Sequence, residues 1–233
     1  METHGTEPKF TWASERHLRL EFPPARLLQL DRALAAIAAA RVPGLVNITA
    51  ATTTLLLEFD LALLDEHRVA SGVRHALIDA SESLSSTSPT MVEIPVCYEM
   101  ACAPDASDIA RIHGISHAEL MRLHSDAKYR VEFIGFAPGF GYLSGLPGQL
   151  NTPRLDTPRP RVPAGSVGIA GNQTGVYPGN TAGGWRLIGR TPLRMFDAAR
   201  EKPSLLSRGD RVRFVPIDLA DFHALVRNGA GHE

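Results

Sequence analysis

Residues 133–191 read FIGFAPGFGYLSGLPGQLNTPRLDTPRPRVPAGSVGIAGNQTGVYPGNTAGGWRLIGRT, and this stretch holds 13 of the 20 glycines in a chain of 233 residues. Glycine permits positive φ and close backbone approach, while proline fixes φ and removes an amide donor. The block is therefore predicted to be a set of specified turns between short strands, not helix. A disordered linker does not fit it, because Phe136, Phe140, Tyr142, Tyr177 and Trp185 are interleaved with the alternating runs SVGIA and WRLIG. Loops constrained in this way shape surfaces that touch something. Phe136, Phe140, Tyr142 and Trp185 are expected partly in the core, but the run Pro138-Gly139-Phe140-Gly141-Tyr142-Leu143 has too many glycines to hide all its aromatics, so some of them are expected to line a groove or a partner surface.

Working outward, the segments YRVEFIG, SVGIAG, QTGVYP, WRLIGRT and DRVRFVPI alternate and are joined by turns, which favours a barrel or a strongly bent sheet. Two short helices precede them. Asp105 with Asp108, and Ser116 with Glu119, stand three apart at helix openings, where each pair can satisfy free backbone N–H groups, and Gly114 is the turn between. A DNA-reading helix-turn-helix is disfavoured: the second helix opens with Ser116, His117, Ala118 and Glu119, and a formal charge of −1 supplies no phosphate attraction. These helices are expected to cover one end of a barrel, with a last short helix at Leu219–Val226 closing it.

The N-terminal part reads differently. His17 to Phe22 alternates with Leu18, Leu20 and Phe22 on one face, and Leu27, Leu30, Leu34 and Ile37 recur at helical spacing up to Gly44. Leu45–Ala51 and Thr54–Phe59 form a predicted hairpin, and Asp65 caps a helix carrying Val69, Val73 and Leu77. With a strand at Val92–Tyr98 the order is βαββαβ, that of a ferredoxin-like α+β sandwich. The polar stretch Ser81–Pro89 is the expected linker, giving domains 1–85 and 86–233.

The longest apolar runs fall short of a bilayer span and no signal segment opens the chain, so a cytoplasmic location is expected. Cys97 and Cys102 are the only cysteines and are expected as free buried thiols. Thiol-nucleophile, zinc and self-contained phosphate-loop chemistry lack their parts, which leaves binding and electrostatics. Arg154, Arg159, Arg161, Arg186 and Arg190 present guanidinium forks suited to a carboxylate or phosphate, and a solvated basic rim explains any single one of them equally well. The small-residue run from Gly165 and Ser166 to Gly171 is either an anion nest or tight strand packing. Gln173, Thr174 and Tyr177 are candidate donors beyond it. His124 is the histidine adjoining the block and a candidate acid–base group, against local hydrogen bonding at a helix end.

The wording GFAPGFGYL, TPRLDTPRPRVPAGSVGIAGNQTGVYP, GGWRLIGRTP and LLSRGDRVRFVPI resembles the family of 5-oxoprolinase B subunits, also described as the KipI-like or allophanate hydrolase subunit 1 family. The resemblance implies a ferredoxin-like domain followed by a cyclophilin-like β-barrel, with the site in the signature loops. It further implies a non-autonomous component of an ATP-dependent enzyme that opens 5-oxo-L-proline to L-glutamate. The partners it implies are a homologous C subunit (KipA-like) and a separate A subunit, with ATP shared between them and Mg2+ accompanying it. Among the residues above, His124, Arg159 and Arg190 are the catalytic candidates. Phe136, Pro138, Gly139, Phe140, Tyr142, Arg154, Gly165, Ser166, Gln173, Thr174, Tyr177 and Trp185 are the substrate-binding ones, with no metal ligands. Two alternatives stand beside it: an inhibitor of a sensor histidine kinase like KipI, and a carboxyltransferase component acting on urea or a related amide. The chain has no biotin-accepting segment of its own. It departs from the family wording at Ala182, Arg208 and Ala106.

Overall fold

The computed structural model describes residues 8–23, 27–63, 65–82 and 90–230, and the chain divides into two compact units, 1–88 and 89–233. Of the expected linker, Ser81 and Glu82 end a helix and residues 83–89 lie outside the described residues, as does the boundary placed at 85/86.

In the first unit β1 (Lys9–Ser14), β2 (His17–Glu21), β3 (Leu45–Ala50) and β4 (Thr54–Phe59) form one antiparallel sheet in the order β1-β2-β4-β3. Period-two alternation puts Leu18 and Leu20 of β2 and Leu55, Leu57 and Phe59 of β4 into one core. Helix α1 (Leu27–Ala39) adds Leu30, Ala33 and Ile37, and α2 (Glu66–Glu82) adds Val69, Val73 and Ala76. Asp65 caps α2 as expected, its Oδ1 accepting from the N–H groups of His67 and Arg68 at 3.1 Å.

One strand differs from the sequence expectation. The fourth strand of this sheet is β1, which pairs with β2 through Lys9↔Glu21 to Trp12↔Leu18, and not the segment at Val92–Tyr98. Phe10 and Trp12 alternate on β1 and pack partly against the core, and a three-residue step from Ser14 to His17 closes the hairpin. The segment after residue 90 instead forms β5 (Met91–Cys97) of the second unit.

There β5 runs parallel to β13 (Arg211–Ile217) over seven residue pairs, from Met91↔Arg211 to Cys97↔Ile217. The other barrel strands are β6 (Tyr129–Ile134), β7 (Gly141–Ser144), β9 (Ser166–Ala170), β10 (Gln173–Val176) and β12 (Arg186–Arg190). Together they close a seven-stranded barrel in the order β10-β7-β6-β13-β5-β12-β9. Closure removes both sheet edges. A separate two-stranded sheet pairs β8 (Arg159–Val162) with β11 (Thr181–Gly183). Ile94, Val96, Val131, Leu143, Val167, Ile169, Val176, Ile188 and Phe214 fill the interior.

Helices α3 (Ala106–His113) and α4 (His117–Asp126) add Ile109 and Leu120 to that core. Gly114 ends α3 in the left-handed conformation, and Ser116 caps α4 by accepting from Glu119 N–H at 3.1 Å. Asp105 makes no side-chain cap; its carboxylate is used elsewhere. Helix α5 (Leu219–Leu225) follows β13 and buries Phe222. No helix among the described residues is long and apolar enough to cross a membrane.

Leu57 sits at the centre of the first unit's sheet with no exposed surface. Leu57→Ala is expected to lower the unfolding free energy by about 2–5 kcal/mol in urea titrations followed by circular dichroism.

Candidate functional site

The loop between β6 and β7 is folded back on itself by three backbone hydrogen bonds. Gly135 N–H donates to Phe140 C=O at 3.0 Å, Ala137 N–H to Gly135 C=O at 2.8 Å, and Phe140 N–H to Ala137 C=O at 3.0 Å. The turn forces φ of +83° at Gly139 and +67° at Phe136. At Gly139 the conformation is unstrained, and a Cβ there would lie 2.8 Å from the Phe196 side chain. At Phe136 it costs on the order of 1–3 kcal/mol, and the ring so held is 59 % exposed.

Behind that rim the aromatics converge as the sequence suggests. Phe140 is the hub, edge-to-face with Phe136 at 5.3 Å, Tyr142 at 4.9 Å, Tyr177 at 5.3 Å and Trp185 at 5.3 Å. Tyr142 and Trp185 meet at 5.7 Å. This quadrupole-favoured packing adds about 0.5–1.5 kcal/mol per pair to the area buried. In front of it lies an open cleft of about 80 Å3, walled by these rings, by Gly183 and Gly184, and by the side chain of Arg154. Sites that enclose a drug-sized ligand run to ~300 Å3 and more, so this cleft suits a small group or one end of a larger one.

The two glycines before Trp185 differ in what holds them. A Cβ at Gly183 would fall 2.5 Å from Tyr177 Oη, while one at Gly184 meets only Pro158 and Leu155, at 3.7–3.8 Å. Burial raises the Tyr177 hydroxyl's pKa, and a hydrogen bond with the Trp185 backbone and the charges of Arg154 and Arg159 pull it back. Ala182, a departure from the family wording, is exposed on β11 beside Gly183.

The arginines do not converge on one point. Arg159 Nη2 donates to Asp105 Oδ1 at 2.5 Å and its Nη1 to Trp185 C=O at 3.4 Å. Asp105 is buried, and its Oδ2 accepts from Leu187 N–H at 2.6 Å. This carboxylate was legible only as a helix opener; its arginine lies 54 residues away. Arg190 Nε donates to Ala164 C=O at 3.0 Å, with its guanidinium 5.7 Å from the Phe222 ring. Arg186 Nε donates to Pro153 C=O at 3.0 Å, and Arg161 is exposed on β8. Arg154 alone of the five lines the cleft, its Cζ 6.0 Å from the Trp185 ring centroid.

Other candidates lie outside it. Gly165 and Ser166 are buried; their N–H groups donate to Tyr177 C=O at 2.8 Å and Pro163 C=O at 3.2 Å, so the small-residue run is barrel ladder and not an anion nest. Gln173 pairs with Ala170 across the β9–β10 hairpin, and Pro138 is exposed in the rim turn. His124 has no exposed surface and stacks on Phe214 at 4.6 Å. Thr174 Oγ1 donates to Gly168 C=O at 3.0 Å and therefore accepts from His124 Nε2, also at 3.0 Å. That leaves Nδ1 to accept from Tyr98 Oη at 2.7 Å. Burial lowers this imidazole from 6.5 to about 3, and it faces no space a solute enters. The geometry is that of a neutral structural histidine, which corrects the acid–base candidacy.

The cysteines are free and buried, and burial together with a hydrogen bond to Cys97 pushes the Cys102 thiol up to about 12. No cluster of His, Cys, Asp and Glu able to hold a metal occurs among the described residues.

Comparison with known proteins adds identity to this geometry. The family described as "Carboxyltransferase domain, subdomain C and D" matches residues 8–206. The B subunit of 5-oxoprolinase from Escherichia coli O157:H7 is 46 % identical over 211 residues, covering 90 % of this chain and 89 % of that protein. The protein of the same name from Bacillus subtilis (strain 168) is 41 % identical over 191 residues, 78 % of this chain and 80 % of that one. Among solved structures, TTHA0988 superposes with a TM-score of 0.75 at 36 % identity; the match takes in 87 % of this chain but 40 % of that one.

Two outcomes follow from the packing. Gly183→Ala is expected to destabilise by about 1–3 kcal/mol through the collision with Tyr177, with Gly184→Ala near neutral, both read by thermal unfolding. For His124 the folded-state pKa lies below the unfolded value, so its contribution is fully present above about 6.5 and is lost as pH falls toward about 3. The stability gap between the parent and His124→Gln should therefore shrink below pH 6.5 by up to about 1.4 kcal/mol per pH unit, measured by denaturant unfolding at stepped pH.

Proposed function

Because the chain belongs to the carboxyltransferase-domain family of subdomains C and D, we propose that it is the B subunit of an ATP-dependent 5-oxoprolinase, working with the A and C subunits of that enzyme. The observation that carries this is the cleft itself: a small, aromatic-walled pocket, open on one side and facing a single cation. It is suited to hold a compact anionic group. The relatives named as 5-oxoprolinase B subunits, at 41 % and 46 % identity over most of their length, supply the substrate class.

A five-membered lactam is a stable amide, and its opening by water needs activation that ATP provides. This chain's residues do not fit a nucleotide site. The Gly165–Gly171 amides are engaged in the barrel, and no group of three or more His, Cys, Asp or Glu able to hold a metal by themselves occurs among the described residues. This chain's share is to bind the lactam and keep it oriented against the aromatic wall. Of the catalytic candidates, Arg159 holds the Asp105 carboxylate and Arg190 the Ala164 carbonyl. Arg159, which also reaches Trp185 C=O, acts here as a positioning residue for that loop, and Arg190 as one for the turn before β9. A carboxyl-transfer role is the second reading, favoured by the description of the matching family; neighbouring genes for a biotin carboxylase would support it.

The purified chain alone is expected neither to hydrolyse ATP nor to consume 5-oxo-L-proline, and to restore both activities when added to the A and C subunits. Robust turnover by the isolated chain would sink the shared-site proposal.

A further inference from the structure

Arg154 is exposed; it meets the Trp185 ring at the outer reach of a cation–π contact, and its charge also acts on the Tyr177 hydroxyl. Arg159, Arg186 and Arg190 each hold a protein acceptor, whereas the fork of Arg154 has its donors available. Its backbone is pinned on both sides. Arg186 donates to the carbonyl of Pro153, and Leu155 N–H donates to Gly184 C=O at 2.8 Å. The guanidinium is thus delivered to the cleft from a fixed segment, opposite rings that carry no charge. Asp105, the buried acid of this region, is turned onto Arg159 and does not neutralise it.

We propose that Arg154 receives the carboxylate of a small cyclic amide acid, whose ring lies against the Trp185 and Tyr142 wall of the cleft. This rests on the 5-oxoprolinase reading and adds to it the residue that selects the acid. The chemistry fits in three respects. A carboxylate takes two parallel N–H bonds from a guanidinium, a geometry an ammonium does not reproduce. A saturated five-membered ring offers apolar C–H surface to aromatic faces. And a cleft of about 80 Å3 is of the size of such a ring.

The test uses two readouts. Trp12 and Trp185 are the chain's two tryptophans, so Trp12→Phe leaves Trp185 as the fluorescence reporter at the site. Titration with 5-oxo-L-proline is expected to give a saturable change, and pyrrolidin-2-one, the same lactam without the carboxylate, to bind at least tenfold more weakly. Arg154→Gln should remove that preference, and Arg154→Lys should restore part of it. In the reconstituted complex, Arg154→Gln should raise KM for 5-oxo-L-proline at least tenfold, with kcat changed much less. Equal binding of the two lactams by the parent, or an unchanged KM in Arg154→Gln, overturns the role of Arg154 and leaves the 5-oxoprolinase reading standing. A complex that assembles but never consumes 5-oxo-L-proline overturns that reading, and the fluorescence comparison of the two lactams then decides Arg154 by itself.

Discussion

The aromatic wall exists because particular strands carry no side chain where it packs. A Cβ at Gly175 would stand 3.0 Å from the Phe140 ring and 2.9 Å from Gly141 C=O, and one at Gly168 would stand 3.1 Å from Trp185 Cβ. Gly183 makes the same concession to Tyr177. Removing these side chains lets three aromatic rings sit edge-to-face at 5.3 Å in the barrel wall, and the density of that packing leaves little room to adjust. The floor of the cleft is therefore also core. Changes there act on stability before they act on ligand, and freedom to tune recognition is left to the rim, where Phe136 and Arg154 project.

Electrostatics divides along the same line. Two buried polar groups beside the cleft and in the barrel find their partners inside the chain: Asp105 between Arg159 and Leu187 N–H, His124 between Tyr98 and Thr174. A buried carboxylate without such donors costs several kcal/mol, so removing Arg159 would disturb Asp105 as well as its own contact with Trp185 C=O. Groups matched in this way are scaffold. Arg154, outside the matched set and facing the cleft, is what remains for a ligand.

Much of this was readable in the sequence where the pattern is local. The glycine-rich block announced turns between short strands, Ser116 with Glu119 announced a helix start, and period-two alternation placed Leu18, Leu20 and Phe22 on one face. What failed depended on distant partners. The alternation of Val92–Tyr98 marks a strand but not the sheet it joins, and its seven-residue parallel pairing with β13 lies more than 100 residues downstream. Lys9–Ser14 was passed over because six residues with two half-buried aromatics make a weak strand signal until β2 is there to pair with. Asp105 looked like a cap for the same reason that His124 looked like a base. Residue type and helix position were visible, but not the Arg159 and Thr174 that engage them across 54 and 50 residues. The resemblance to the 5-oxoprolinase B subunits reached further than these patterns because it reads whole loops at once.

Phe136 is where the scaffold stops being self-sufficient. Its backbone is held at φ +67°, which a glycine in its place would tolerate without strain, yet an exposed phenyl ring stands there instead. Its contacts with Phe140 at 5.3 Å and Tyr177 at 6.2 Å engage one side of the ring only. Strain of this kind persists where surrounding structure overdetermines it, and the three hydrogen bonds of the 135–140 turn do that. An exposed aromatic contributes when something covers it, since desolvating such a ring is worth about 1.5–3 kcal/mol. The cleft thus has core for its floor, a cation at one edge and a strained, exposed ring at the other.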